Sequence, residues 1–182
     1  MAIKSLVPDG KYGVCETPSL TARKIGGSLV KNQFALDATD FATIAAQNGM
    51  LLVVNEFDGT IDLPANANSY VYLHNSPVKD YEELGKEKVA VKRGELLPVM
   101  YKLTVGDTII TNTLKYDDDV YADVAAIVDA IDATTVYGVP NADGYIRLGA
   151  AAAGTETVVL KAKEVTTLSN GRTAIKFIVE KA

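Results

Sequence analysis

The sequence predicts a mainly β fold, a barrel or a sandwich, on three observations. Short apolar runs rich in β-branched and aromatic residues recur along the chain, and glycine-bearing turns separate them. Asp58-Gly59 and Ser169-Asn170-Gly171 each fall between two such runs, where glycine accepts the positive φ of a tight hairpin. Only one long stretch carries a helical apolar period. With 182 residues, 48% hydrophobic and 23% charged, the chain can bury a sizeable core, and whole-chain disorder is excluded.

Residues 1–35 differ from the rest. Pro8, Gly10, Gly13, Pro18, Gly26 and Gly27 break every apolar stretch. Five cations (Lys4, Lys11, Arg23, Lys24, Lys31) against Asp9 and Glu16 make the segment +3. The expectation is an extended N-terminal arm that enters the body through a first strand near Ser28–Leu36, or, on equal footing, an ordinary edge strand with loops. Residues 36–182 read as a β-rich body with a candidate division near 95.

Within the body, 38–47 reads as a short helix, with Asp37 or Thr39 as N-cap and Gly49 as C-terminal glycine. Met50–Phe57 and Thr60–Leu63 form a hairpin across Asp58-Gly59, and Pro64 stops the second strand. Ser69–His74 alternates at period two. Pro77–Lys88 is polar and reads as a loop or one helical turn. Val89–Lys92, Leu97–Leu103 and Asp107–Thr113 read as strands. An amphipathic helix is expected around 118–132, because Val120, Val124, Ile127, Val128 and Ile131 form one stripe. Asp117, Asp118 and Asp119 crowd its start, where the helix dipole favours negative charge. Tyr145–Leu148 is a short strand, 149–154 a small-residue linker, and Glu156–Thr167 with Arg172–Glu180 a closing hairpin whose inner face carries Ile175, Phe177 and Val179.

Chemistry is sparse. The only histidine, His74, ends a strand in a turn composition, and the only cysteine, Cys15, reads as a small semi-buried apolar residue. A single thiol allows neither an internal disulfide nor a thiolate metal site. No phosphate-binding glycine loop is present. Seven aspartates and no cation lie between 117 and 143, but the calcium-loop order is missing, so a solvated helix face is the favoured reading over a weak cation site. No catalytic residue, metal ligand or cofactor is assigned, and the expectation is a non-enzymatic protein. A net charge of −5 argues against direct nucleic-acid binding, no apolar run is long enough to span a bilayer, and the first residues lack the apolar centre of a secretion signal. Synthesis in the cytoplasm without membrane attachment follows as an expectation. The contrast between +3 in 1–35 and −7 in 117–143 suits docking between neighbours.

The stretch Leu103-Thr-Val-Gly-Asp-Thr-Ile-Ile-Thr-Asn112, the closing hairpin Lys163–Glu180 and the glycine-dotted, lysine-bearing start resemble capsid decoration proteins (auxiliary head or head-fibre proteins) of tailed bacteriophages. The resemblance is one of style over residues 95–182. It implies a virion component on the capsid exterior, with the major capsid protein and neighbouring copies of itself as partners. The arm would contribute contacts through Ile3, Lys4, Leu6, Lys11, Tyr12, Arg23, Lys24 and Lys31. Two alternatives stand beside it: a self-assembling tail-tube or other phage structural subunit, and a small-ligand-binding β-barrel.

Overall fold

Both glycine turns make hairpins. In a computed structural model describing residues 2–76, 90–91, 97–149 and 154–182, the chain is mainly β. Its first part contains β1 (Ile3–Ser5), β2 (Cys15–Ser19), helix α1 (Thr21–Ile25), β3 (Val30–Lys31), β4 (Ala35–Leu36) and β5 (Ala46–Gln47). The middle contains β6 (Leu51–Asn55), β7 (Thr60–Asp62), β8 (Tyr72–His74), β9 (Ala90–Val91) and β10 (Met100–Tyr101). β11 (Thr108–Thr111), β12 (Leu114–Asp117), α2 (Val124–Ala133), β13 (Tyr137–Pro140), β14 (Ile146–Gly149), β15 (Val159–Thr167) and β16 (Thr173–Lys181) complete it. The expected polar segment 77–88 and most of the 149–154 linker lie outside the described residues.

The larger sheet runs β1-β12-β14-β13-β15-β16-β11-β2. The strands next to its two ends, β12 and β11, are successive parts of one ribbon, 108–117, joined only through Asn112 and Thr113. The first half of that ribbon pairs with β16 and the second with β14, so the path of strands returns to its origin as in a barrel. The turn between the halves is sharp: the Leu114 N–H donates to the Asn112 carbonyl, two residues back. Residues 3–19 then run antiparallel along the ribbon, from Ile3↔Asp117 to Ser19↔Thr108.

A second sheet, β3-β10-β8-β6-β7-β4, lies against the first. Period-two alternation divides its side chains between two cores. Leu51, Leu73 and Tyr101 join the core that contains Ile109, Leu114, Leu160, Ile175, Phe177 and Val179. Their neighbours Leu52, Tyr72 and Met100 face a smaller core with Phe34, Leu36, Phe41 and Ile61. Each such buried side chain contributes about 1.5–3 kcal/mol relative to exposure, and a one-residue slip of β6 or β8 would exchange side chains between the two cores and misfit both.

Two expectations change. Residues 38–47 do not form a helix. Asp37 caps as expected, its Oδ1 accepting from the N–H groups of Thr39 and Asp40, but only one turn forms, closed by Phe41 N–H to the Asp37 carbonyl. Phe41 and Ala46 are drawn into the smaller core, and Gln47 already belongs to a strand. The helix expected over 118–132 begins at Val124, capped by Asp123 Oδ1 accepting from Ala126 N–H. Its buried face carries Ile127, with Ala126, Ala130 and Ile131 packed beside it, whereas Val120 and Val128 are exposed. Of the two readings of the leading segment, the structure has strands at the sheet's ends: β1 and β2 are hydrogen-bonded into the chain's own sheet.

Candidate interaction surface

A polar knot fastens the two sheets at the ribbon's corner. His74 is fully buried at the end of β8, with Nδ1 2.9 Å from the Gln47 carbonyl and Nε2 2.8 Å from Ser76 Oγ. A carbonyl only accepts, so Nδ1 carries the proton. Nε2 then accepts from the Ser76 hydroxyl, whose oxygen also accepts the Val99 N–H at 3.0 Å. Burial pushes the imidazole down to about 4, so it is neutral. Asn48 holds the Ser76 backbone at both ends: Oδ1 accepts its N–H and Nδ2 donates to its carbonyl. The Asn48 carbonyl in turn accepts from Thr113 Oγ1 at the corner of the ribbon. Gly49 must approach this corner closely. Its φ is +93°, and a Cβ there would sit 2.3 Å from Thr111 Oγ1.

The Ser76–His74 pair has the form of a nucleophile and base, but its surroundings oppose that chemistry. An imidazole titrating near 4 is a weak base at neutral pH. The Ser76 N–H, a natural oxyanion donor, is spent on Asn48. Cys15 is buried in β2, and desolvation raises its thiol to about 12. Beside these groups opens a cleft of about 520 Å³, walled by Val14–Pro18, Arg23, Asn48, Asn75, Ser76 and Ser169. The one carboxylate among its described lining residues, Glu16, already accepts the Ser169 N–H at 2.7 Å. Asp117, Asp118 and Asp119 do cluster, yet Asp117 Oδ2 pairs with Arg147 at 2.8 Å and Asp118 Oδ1 accepts the Ala2 N–H.

The structure spreads the expected arm residues along the ribbon, over at most about 30 Å. Ile3 and Lys4 lie on β1 beside the aspartates, with Lys4 Nζ donating to the Ala122 carbonyl at 2.8 Å. Leu6 packs against the larger core. Lys11 and Tyr12 are exposed in the loop between β1 and β2, and the Tyr12 carbonyl accepts from Arg172. Arg23 and Lys24 project from α1 at the opposite end, Arg23 5.2 Å from the centre of the Tyr101 ring. Lys31 belongs to a third place, in an ion pair with Glu56 at 2.7 Å on the second sheet. The +3 charge is therefore not one patch, and Lys4 sits among the acidic groups.

Sequence reasoning passed over the most exposed aromatic among the described residues, Phe57, which is 97% exposed on the β6–β7 loop. Strand pairing ends at Asn55↔Thr60, so the loop is Glu56–Gly59 rather than Asp58-Gly59 alone. The available signal was an aromatic residue directly before the turn dipeptide, separated from the apolar run by the polar pair Asn55-Glu56. Tyr70, 48% exposed, stands at the same end of this sheet, edge-on to Tyr72 with centroids 5.6 Å apart. Lys102 lies 5.7 Å over its ring.

No protein-family model, curated protein or solved structure matches this chain. Among the described residues, no helix is long and apolar enough to cross a membrane.

Proposed function

We propose that this chain is a non-catalytic structural protein of a tailed bacteriophage, bound to the outer surface of the capsid lattice, which it decorates and stabilises. Its partners in this reading are the major capsid protein and neighbouring copies of itself. The observation that supports it most is how reactive groups are separated from exposed ones. His74 and Cys15 are buried and titrate far from neutrality, while charged and aromatic side chains stand on the surface.

The sheet edges favour dressing a lattice over building one. β2 carries Pro18 and a register shift between its pairings to Thr108 and Ile110. β1 has three residues, with Lys4 at its centre. Proline, bulges, lysine and shortness all blunt an edge against adding further strands, which a self-polymerising subunit would need. Many weakly held copies on a symmetric shell gain their effect through multivalency.

The test is co-sedimentation of the purified chain with expanded shells that lack it. Saturable binding of the full chain is expected, and absence of binding rejects the proposal. The role of the leading strip is tested by removing residues 1–5 only. A longer deletion would take β2 and the buried Leu20 and Ala22 and unfold the body. Equal binding by the shortened chain removes the strip from the contact.

A further inference from the structure

The cleft beside the polar knot holds polar groups that the fold itself does not use. Two buried asparagines stand in its wall, Asn48 and Asn75. Asn48 spends its amide on both ends of the Ser76 backbone. Asn75 is only 5% exposed, and its backbone N–H donates to the Val99 carbonyl at 3.1 Å, but no described residue hydrogen-bonds to its side-chain amide. Thr17 Oγ1, in the same wall, is sealed from water and also lacks a partner among the described residues. Buried polar groups are paired in the great majority of cases, so an unspent amide in the wall of a cavity points to a ligand.

We infer that this cleft binds a small zwitterion, a free amino acid or a short peptide, with its carboxylate on Arg23 and the Asn75 amide and its ammonium group on Glu16. Both charged residues line the cleft. Beyond the burial that raises the Cys15 thiol, the Arg23 guanidinium lowers it and Glu16 raises it, so the two charges reach the same floor. They do not pair with each other. Glu16 accepts the Ser169 N–H, and Arg23 has no carboxylate partner among the described residues, its guanidinium lying 5.2 Å from the centre of the Tyr101 ring. A lone anion entering here meets the Glu16 carboxylate and a lone cation meets Arg23, whereas a molecule carrying both charges satisfies both. The planar fork of arginine matches a carboxylate, and the Asn75 amide offers a donor and an acceptor beside it. The volume of about 520 Å³ falls within the range of roughly 300–1,000 Å³ typical of small-molecule sites.

The purified full chain is titrated with alanine, alanylalanine, acetate and methylammonium at fixed ionic strength. Binding is read by NMR from the side-chain amide of Asn75 and from the imidazole of His74, the chain's single histidine and the next residue but one to Ser76 in the cleft wall. Saturable shifts are expected with alanine or alanylalanine, with a dissociation constant of about 1 mM or tighter, and at least about 10-fold weaker binding of acetate and methylammonium. The two zwitterions distinguish an amino-acid site from a peptide site. Arg23→Gln and Glu16→Gln lie outside both cores and should melt as the parent does, each weakening the zwitterion about 10-fold. Asn75→Ala should weaken it several-fold. Acetate binding as tightly as the zwitterions overturns the assignment of ligand class. Unchanged binding in either charge variant, or no saturable shift well above 1 mM, overturns the site. No shell takes part, so these outcomes leave the decoration reading untouched.

Discussion

Acid should weaken this fold through one identifiable proton. In the native state burial lowers the His74 imidazole from its ordinary 6.5 to about 4. The unfolded chain regains the ordinary value, so between these two pH values it binds a proton that the native state refuses. The contribution is complete above about pH 6.5 and is lost as pH falls towards 4. A difference of about 2.5 pH units corresponds to about 3 kcal/mol, of which about 2 kcal/mol is gone by pH 5. Urea unfolding at a series of pH values from 7 to 4 measures it, and His74→Gln isolates it. The variant starts from a lower baseline, because the knot loses its imidazole, but its stability should fall less steeply through this window. The remaining slope belongs to carboxylates. Because the chain has a single histidine, its imidazole resonances report the native titration without ambiguity. A native titration midpoint near 6.5, or the same slope in His74→Gln as in the parent, would refute the reasoning.

Further perturbations test other joints of the structure. Asp107 is buried and its carboxylate accepts from Thr21 N–H, Thr21 Oγ1 and Thr104 N–H, so it serves the start of α1 as a cap from outside the helix. Asp107→Ala strands three donors and should cost roughly 2–4 kcal/mol in denaturant unfolding, whereas Asp107→Asn should cost less. Gly49→Ala combines a left-handed backbone with an intrusion on Thr111 and should lower stability by about 2–4 kcal/mol. The Cys15 thiol, raised to about 12, should react with a small alkylating reagent at pH 8 roughly a thousandfold more slowly in the native protein than in urea. Native labelling as fast as that of the unfolded chain would place the thiol at the surface.

Local signals were readable where one physical rule dominated. The β15–β16 hairpin, with Ile175, Phe177 and Val179 inward, follows from alternation and a glycine turn, and the structure repeats it. Helix α2 was legible in kind but not in start. Asp117–Asp119 looked like an N-terminal acidic turn, yet Asp117 is claimed by β12 and Arg147, and the helix starts later, capped by Asp123. β12 and β13 were missed, and β1 and β2 stood only as one of two readings, because they are held by distant partners rather than by composition. Tyr137–Pro140 even contains a glycine and a proline, and the glycine is needed because a Cβ at Gly138 would meet Ile146 at 2.5 Å. The polar knot was invisible for the same reason: Asn48, Ser76 and Thr113 are ordinary polar residues far apart in sequence until the fold brings them together. Phe57 was overlooked because it was counted as the end of an apolar strand.

The pairing of residues 3–19 with the ribbon 108–117 also sets a timetable. The leading strip has nothing to pair with until about a hundred further residues have been made. The ribbon is in turn completed only when β16, near the other end, lies against its first half. Closing such long loops places this chain among slow-folding β topologies, and a ribosome-bound fragment lacking β16 would emerge with its earliest strands still waiting.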